Sequence, residues 1–141
     1  MPLFSRSALS RTVCILLFSV CMCGCATNSI GPLPGCTQQL VTRMYFGLRS
    51  PHAEVSEVQW KSFLAAQITS RFPAGLTVLA SSGQWRDAQG TIISEDSRVV
   101  EIVHQDEADA ATKIQAIARQ YKNSFSQESV LVLQHPVTAC F

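Results

Sequence analysis

Three polar side chains in this chain could carry out acid–base chemistry: His104, Tyr45 and Arg43. His104 follows a valine-rich segment and could act as a general base, since imidazole is the commonest base in enzymes. Tyr45 would donate a hydrogen bond to a substrate, and Arg43 would hold an anionic group. The structural alternative is a hydrogen-bonded His104 at a strand end and an Arg43 that pairs with Glu101.

No motif assigns a reaction to these residues. The chain lacks the G-x-S-x-G, H-E-x-x-H, phosphate-loop and dinucleotide-glycine patterns. The other polar candidates, Arg71, Trp85 and Glu95, are scattered along the sequence. Catalytic residues therefore stay unassigned, and the sequence predicts no cofactor.

The cysteines could form a disulfide bond. Cys36 and Cys140 stand near the two ends of the region that follows the N-terminal leader. In an oxidising compartment such a pair predicts a disulfide bond, and the alternative is two free buried thiols. A metal site that adds His135 to them lacks any paired C-x-x-C or H-x-x-x-H spacing, so no metal is predicted.

The leader itself is an apolar run from Thr12 to Cys25, preceded by Arg6 and Arg11. It has the layout of a secretory signal peptide and is too short to span a bilayer, which takes about 20 apolar residues. Residues 1–24 are therefore predicted to be removed on export.

Gly24 followed by Cys25 resembles the bacterial lipobox, although Met22 and Cys23 depart from its preferred residues. The resemblance implies lipid attachment at Cys25 and anchoring in a membrane. Ala26 after the cysteine implies the periplasmic face of the outer membrane. The alternative is cleavage by the general signal peptidase, which would release a soluble secreted protein.

Without residues 1–24 the chain has 117 residues, with nine basic and ten acidic side chains. This near-neutral charge has no basic stripe with aromatic residues between the charges, which excludes nucleic acid as a partner. Residues 25–38 contain prolines and glycines without an apolar period and are predicted to be a flexible tether. Residues 39–141 are then one domain of ordinary size.

Apolar periodicity divides that domain into six elements. Strands are predicted from Leu40, over 76–85, over 98–104 and over 129–133, where Pro136 ends or bends the last one. A helix over 57–71 begins with a capping box of Ser56 and Gln59 and a staple of Val55 and Trp60, and a second helix follows a cap at Asp106. The polar residues 86–97 are predicted to be a hairpin connection, with the apolar step Ile92-Ile93 as a candidate for a short strand of its own.

The order of these elements is that of a ferredoxin-like βαββαβ fold, in the α+β class. Two helices would cover one face of a four-stranded antiparallel sheet in the order fourth, first, third, second. The other face would be bare and would mix charged and apolar groups, namely Arg43, Tyr45, Thr77, Leu79, Val99, Glu101 and Val103. A second copy of the same sheet is the simplest cover, which predicts a homodimer.

Five segments together resemble a bacterial family of small secreted lipoproteins that is catalogued only as a domain of unknown function. The resemblance covers roughly residues 36–141 and rests on MYFGL (44–48), VSEVQWKSF (55–63), RFPAGLTVL (71–79), GQWR (83–86) and QESVL (127–131). It implies secretion and an envelope role, and it supplies no catalytic residues.

Three hypotheses about function follow. The first is a noncatalytic envelope lipoprotein that binds itself or an unidentified protein through the bare face, with Arg43, Tyr45 and Glu101 in that face. The second is a small enzyme in which two sheets enclose a polar cavity and act on a small organic molecule. The third is a binding module in which Arg43 holds the anionic group of a ligand.

Overall fold

Alternating apolar residues on four strands, together with two amphipathic helices, build a single sheet covered on one side. The computed structural model describes residues 34–50, 54–87 and 89–141. Its elements are β1 (Cys36–Gly47), α1 (Glu57–Phe63) with a π-helical continuation (Leu64–Thr69), β2 (Thr77–Arg86), β3 (Ile92–His104), α2 (Ala108–Phe125) and β4 (Leu131–Cys140). All pairings are antiparallel, in the order β2-β3-β1-β4. The predicted ferredoxin-like βαββαβ topology is therefore confirmed.

The core lies between the sheet and the helices. Met44 and Phe46 of β1 are fully buried there, under Ile117 and Tyr121 of α2. The Tyr121 ring lies 4.8 Å from that of Phe46 and 5.0 Å from that of Phe63, in edge-on contacts that aromatic rings favour. The chain divides into two units, and all the core residues in the described part of the chain fall in the unit Pro32–Phe141. That unit thus has a hydrophobic core of its own, as an independently folding domain does.

The predicted start of α1 is confirmed in detail. The Gln59 N–H donates to Ser56 Oγ, and the Ser56 N–H donates to Gln59 Oε1, which completes the capping box. The sequence predicts a regular helix to residue 71, whereas the structure widens into a π-helix at Leu64. The wider turn brings Phe63 and Ile68, five residues apart, to the core side, where both are buried.

The second helix begins one residue later than predicted. Glu107, with an extended backbone, is the N-cap residue instead of Asp106, and its side chain makes no capping hydrogen bond. Acidic residues at 106, 107 and 109 all suit the positive end of a helix dipole, so composition alone does not select the cap. The predicted apolar face is confirmed, since Ala110, Ile114, Ile117 and Tyr121 are buried.

The hairpin predicted over 86–97 is present but tighter than predicted, because the strand at Ile92-Ile93 is the start of β3 and β2 ends at Arg86. Gly83–Arg86 and Ile92–Glu95 form a two-stranded arm beyond the last residue of β1 that pairs with β3, Gly47. Most of the first strand of this arm falls within the strand predicted over 76–85, whereas the second lies outside the core and shows only the apolar step Ile92-Ile93. Asp87 Oδ1 accepts the Thr91 N–H at 2.8 Å and shapes the turn.

The opposite end of the sheet is also longer than predicted. β1 begins at Cys36, inside the predicted tether, and β4 continues through Pro136 to Cys140. An edge strand tolerates proline because only one side of its backbone is paired. Cys36 and Cys140 are register partners and form the predicted disulfide bond.

Candidate functional site

The side of the sheet opposite the helices carries the polar residues singled out in the sequence. Strand alternation places every second residue there. We call this surface the open face; the strand registers assign to it Val41, Arg43, Tyr45, Thr77, Leu79, Val99, Glu101, Val103, Leu131, Leu133 and His135. All seven residues that the sequence predicted for a bare face are among them.

A single ion pair stands near the centre of the open face. Arg43 on β1 and Glu101 on β3 are register partners, and Arg43 Nε donates to Glu101 Oε2 at 2.6 Å. This hydrogen bond and the opposite charge raise the pKa of Arg43 above its usual value. Both side chains stay partly exposed, at 44% and 29%. The predicted cross-strand pair is confirmed.

Large apolar side chains surround the pair. Leu131 and Leu79 are more than half exposed, at 54% and 51%, on the two edge strands. Leu133 and Val103 are exposed by more than a third. Trp85 is similarly exposed but lies outside the open face, eight residues along β2 from Thr77, the register partner of Glu101. The sequence missed Leu131 and Leu133 because the apolar run 129–133 shows no alternation that would assign them to a face. The open face is thus an apolar surface with one ionised pair within it.

His104 does not belong to this surface. It lies on the helix side of β3, where its ring is 6.0 Å from that of Phe72. A carbonyl oxygen only accepts, so His104 Nδ1 donates to Gln105 O at 2.7 Å, and Nε2 accepts from the Thr42 hydroxyl at 2.8 Å. The proposed catalytic set of His104, Tyr45 and Arg43 is therefore not assembled, because the sheet separates the first from the other two.

The remaining polar candidates have local roles. Arg71 Nη1 donates to the carbonyl and side-chain oxygens of Gln67, one turn earlier. Glu95 lies in β3 instead of a connection, and its carboxylate covers Gly47, where a Cβ would come within 2.7 Å of it. Neither side chain forms a hydrogen bond or an ion pair with Arg43 or Glu101.

The sequence also missed one buried polar group, the Tyr121 hydroxyl. It donates to the Gly47 carbonyl at 2.8 Å, which joins α2 to the end of β1. Burial, and secondarily the charge of Glu95, raise the pKa of Tyr121 well above its usual value. No short motif announces this bond, because it spans residues far apart in the chain.

Two shallow depressions lie away from the open face. One, of about 410 Å³, runs between α1 and α2 and is lined by Phe63, Phe125 and several glutamines. The other, of about 160 Å³, lies beside Arg49 and Glu95. Across residues 34–50, 54–87 and 89–141, no group of three or more His, Cys, Asp or Glu side chains is close enough to hold a metal ion. In the same part of the chain, no helix has the length and apolar character needed to cross a membrane.

Cys25 and the predicted signal peptide lie outside the described residues. The predictions of cleavage, lipid attachment and envelope location therefore stay predictions. The described chain begins just before Cys36, at the end of the sheet that carries the disulfide bond.

Comparisons with known proteins point to a family and a fold. The family model described as "Protein of unknown function (DUF3574)" matches residues 41–141. No curated protein matches the chain in sequence. Among solved structures, a phage SAM lyase in complex with S-methyl-5′-thioadenosine is similar, with a TM-score of 0.57, 18% identity and coverage of 73% of this chain and 90% of the lyase. CutA from Synechococcus elongatus gives a TM-score of 0.48 at 12% identity, covering 73% and 85% of the two chains. At 18% identity the likeness to the phage lyase shows the fold alone.

Proposed function

The chain belongs to the DUF3574 family of proteins of unknown function, and we propose that it is a lipid-anchored cell-envelope protein whose domain associates with a second copy of itself through the open face. Membership of this family brings no activity with it. The single observation that carries the self-association is the apolar character of that face. The anchoring rests on the leader and on Cys25.

The amount of exposed apolar surface supports an interface. Isolated apolar residues are common on protein surfaces, but contiguous apolar patches usually mark contact sites. Leu131 and Leu133 are neighbours on one face of β4, and Val103 lies on the same face of β3, with β1 between the two strands. Covering such a patch removes apolar area from water at about 25 cal/mol per Å².

The central ion pair supports a second copy as the occupant. A surface that carries one positive and one negative group side by side is complementary to itself, because each group can meet its opposite on an identical surface. Arg43 and Glu101 have this arrangement at 2.6 Å. A partner with a single sign of charge would leave one of the two unpaired.

The enzyme alternative has less support in this geometry. His104, its candidate base, has both ring nitrogens engaged and lies behind the sheet from Arg43 and Tyr45. The ligand alternative keeps Arg43 as an anion-binding group, and the fold shared with the phage lyase offers S-methyl-5′-thioadenosine as a probe. We expect this compound to leave the thermal unfolding midpoint unchanged.

Size-exclusion chromatography with light scattering on the unit Pro32–Phe141 tests the proposal. We expect an oligomer at about 100 µM, where even association of about −5.5 kcal/mol is populated. Val103→Asp should raise the dissociation constant about tenfold or more, because it places a charge in an apolar interface. The matched control is Val58→Asp, which changes an exposed valine on α1 and should leave association unchanged.

A wild-type domain that stays monomeric at this concentration would overturn the self-association. Equal weakening by Val103→Asp and Val58→Asp would show that the contact does not use the open face. A clear stabilisation by S-methyl-5′-thioadenosine, lost in Arg43→Ala, would favour the ligand alternative instead.

A further inference from the structure

We infer that the two copies associate about a twofold axis parallel to the strands, between β1 and β3, so that Glu101 of each copy meets Arg43 of the other. The inference rests on the proposed function, because it gives the geometry and the specificity residues of that self-association. It is carried by the order in which side chains lie across the open face.

The strand registers arrange the open face in rows that cross all four strands in the order β2, β3, β1, β4. The rows are Leu79, Val99, Tyr45 and Leu131; then Thr77, Glu101, Arg43 and Leu133; and then, without a β2 member, Val103, Val41 and His135. The outer positions are occupied mainly by apolar side chains. The charges of the second row occupy the two central strands.

A twofold axis parallel to the strands turns the second sheet over and exchanges its left and right sides, while each row stays level. β2 of one copy then faces β4 of the other, and β3 faces β1. Leu79 therefore meets Leu131, and Val103 lies over Val41, of which only 6% is exposed. In the charged row, Glu101 meets Arg43 twice, whereas Thr77 lies opposite Leu133. The axis thus pairs apolar with apolar groups in the first row and each charge with its opposite in the second.

Other axes give poorer matches. An axis perpendicular to the strands, through the charged row, places each strand opposite the same strand of the second copy. It would place Arg43 against Arg43 and Glu101 against Glu101, and like charges in contact across an interface cost several kcal/mol. A diagonal axis would cross the two sets of strands near a right angle, as in orthogonally packed sheets. It would also turn the two ion pairs crosswise, so that no charge lies directly opposite a charge of the other sign.

The existing ion pair leaves atoms free for such a contact. Arg43 uses Nε toward Glu101 Oε2, and within the described part of the chain Glu101 is its sole ionic partner. The terminal guanidinium nitrogens and Glu101 Oε1 are the groups that can reach across. Two arginines and two glutamates would then form one network, in which every charge has opposite neighbours.

Charge reversal in mixed samples tests this arrangement on the unit Pro32–Phe141. Arg43→Glu gives a face with two acidic groups, and Glu101→Arg gives a face with two basic groups. Each variant alone should lose association by about tenfold or more, whereas a mixture of the two should form a heterodimer at least as tightly as the wild type. An ion pair that acts only within one chain would not produce this preference for the mixture.

The controls are Arg119→Glu and Glu128→Arg, which make the same charge changes away from the open face. Circular dichroism checks that all variants fold. Disulfide cross-linking tests the same arrangement with Arg43 and Glu101 unchanged. A mixture of the Leu79→Cys and Leu131→Cys variants should form a cross-linked heterodimer under oxidation, whereas Leu79→Cys alone should form no cross-linked dimer.

The outcomes separate this inference from the proposed function. A wild-type monomer would contradict the self-association itself. A second pattern of results would keep the interface and overturn the axis. In that pattern Val103→Asp weakens the wild-type oligomer, but the two charge variants do not bind each other more tightly than themselves, and Leu79→Cys does not cross-link to Leu131→Cys.

Discussion

At the scale of the residue, Tyr121 shows how one hydroxyl joins distant parts of the chain. Its ring contacts Phe46 and Phe63 in the core, and its hydroxyl donates to the Gly47 carbonyl. A buried carbonyl without a partner would lower the stability of the fold. Tyr121 is therefore both a packing residue and the group that satisfies the end of β1.

Tyr121→Phe should lower the free energy of unfolding by about 1 kcal/mol, the usual net value of such a bond. The raised pKa of Tyr121 adds a pH dependence. Above about pH 10 the unfolded chain loses the tyrosine proton and the folded chain keeps it, so wild-type stability falls as the pH rises further.

Urea unfolding between neutral pH and pH 11 measures both effects. The free energy of unfolding of Tyr121→Phe should fall less between neutral pH and pH 11 than that of the wild type, because Tyr121 no longer contributes to the decrease. Tyr45→Phe, on the open face, serves as the control. A Tyr121→Phe protein with wild-type stability and the same alkaline slope would show that this hydroxyl makes no net contribution.

At the scale of the element, the sheet extends beyond its core at two corners. The arm of β2 and β3 extends past β1 at one corner, and β1 with β4 extends past β3 at the other. A two-stranded ribbon is barely stable alone in water. The disulfide between Cys36 and Cys140 ties the second ribbon together at its end.

Replacing both Cys36 and Cys140 by serine should lower the free energy of unfolding by about 2–4 kcal/mol, because the bond closes a loop across almost the whole domain. Urea unfolding of the oxidised proteins measures the change. Reductant should produce a similar loss in the wild type and none in the double variant. Equal midpoints for oxidised and reduced wild type would contradict a stabilising role.

At the scale of the whole molecule, the anchor would fix where the open face meets a second copy. Two domains held on one membrane meet at a higher effective concentration than free domains do, so weak self-association becomes effective. The proposed lipid on Cys25 would thus favour association through the open face. The proposal of a lipid anchor depends on the sequence alone.

Cys25→Ser should abolish incorporation of a fatty-acid label and leave an unprocessed precursor, because no thiol remains at the lipobox position. Cys23→Ser, two residues earlier, is the matched control and should keep both labelling and processing. Labelling that persists in Cys25→Ser, or that never occurs in the wild type, would contradict the anchor.

The sequence alone was sufficient for the βαββαβ order, because capping residues and apolar periods are local signals. It also predicted the strand order, and from that order the Arg43–Glu101 pair. The disulfide was predicted from the two cysteines that follow the leader and from export to an oxidising compartment. The family resemblance was confirmed over residues 41–141.

The sequence placed Arg43, Tyr45 and Glu101 on the correct face, but only the tertiary structure decided the side that His104 occupies and how far the ribbons extend. His104 lies behind the sheet because a one-residue step along a strand reverses the side of every side chain, so a strand-end residue has no face until its register is known. Leu131 and Leu133 reached the open face by the same rule, within a run whose composition gave no alternation. The second strand of the arm, Ile92–Glu95, is held by main-chain pairing to β2 outside the core, so its residue types show only a short apolar step.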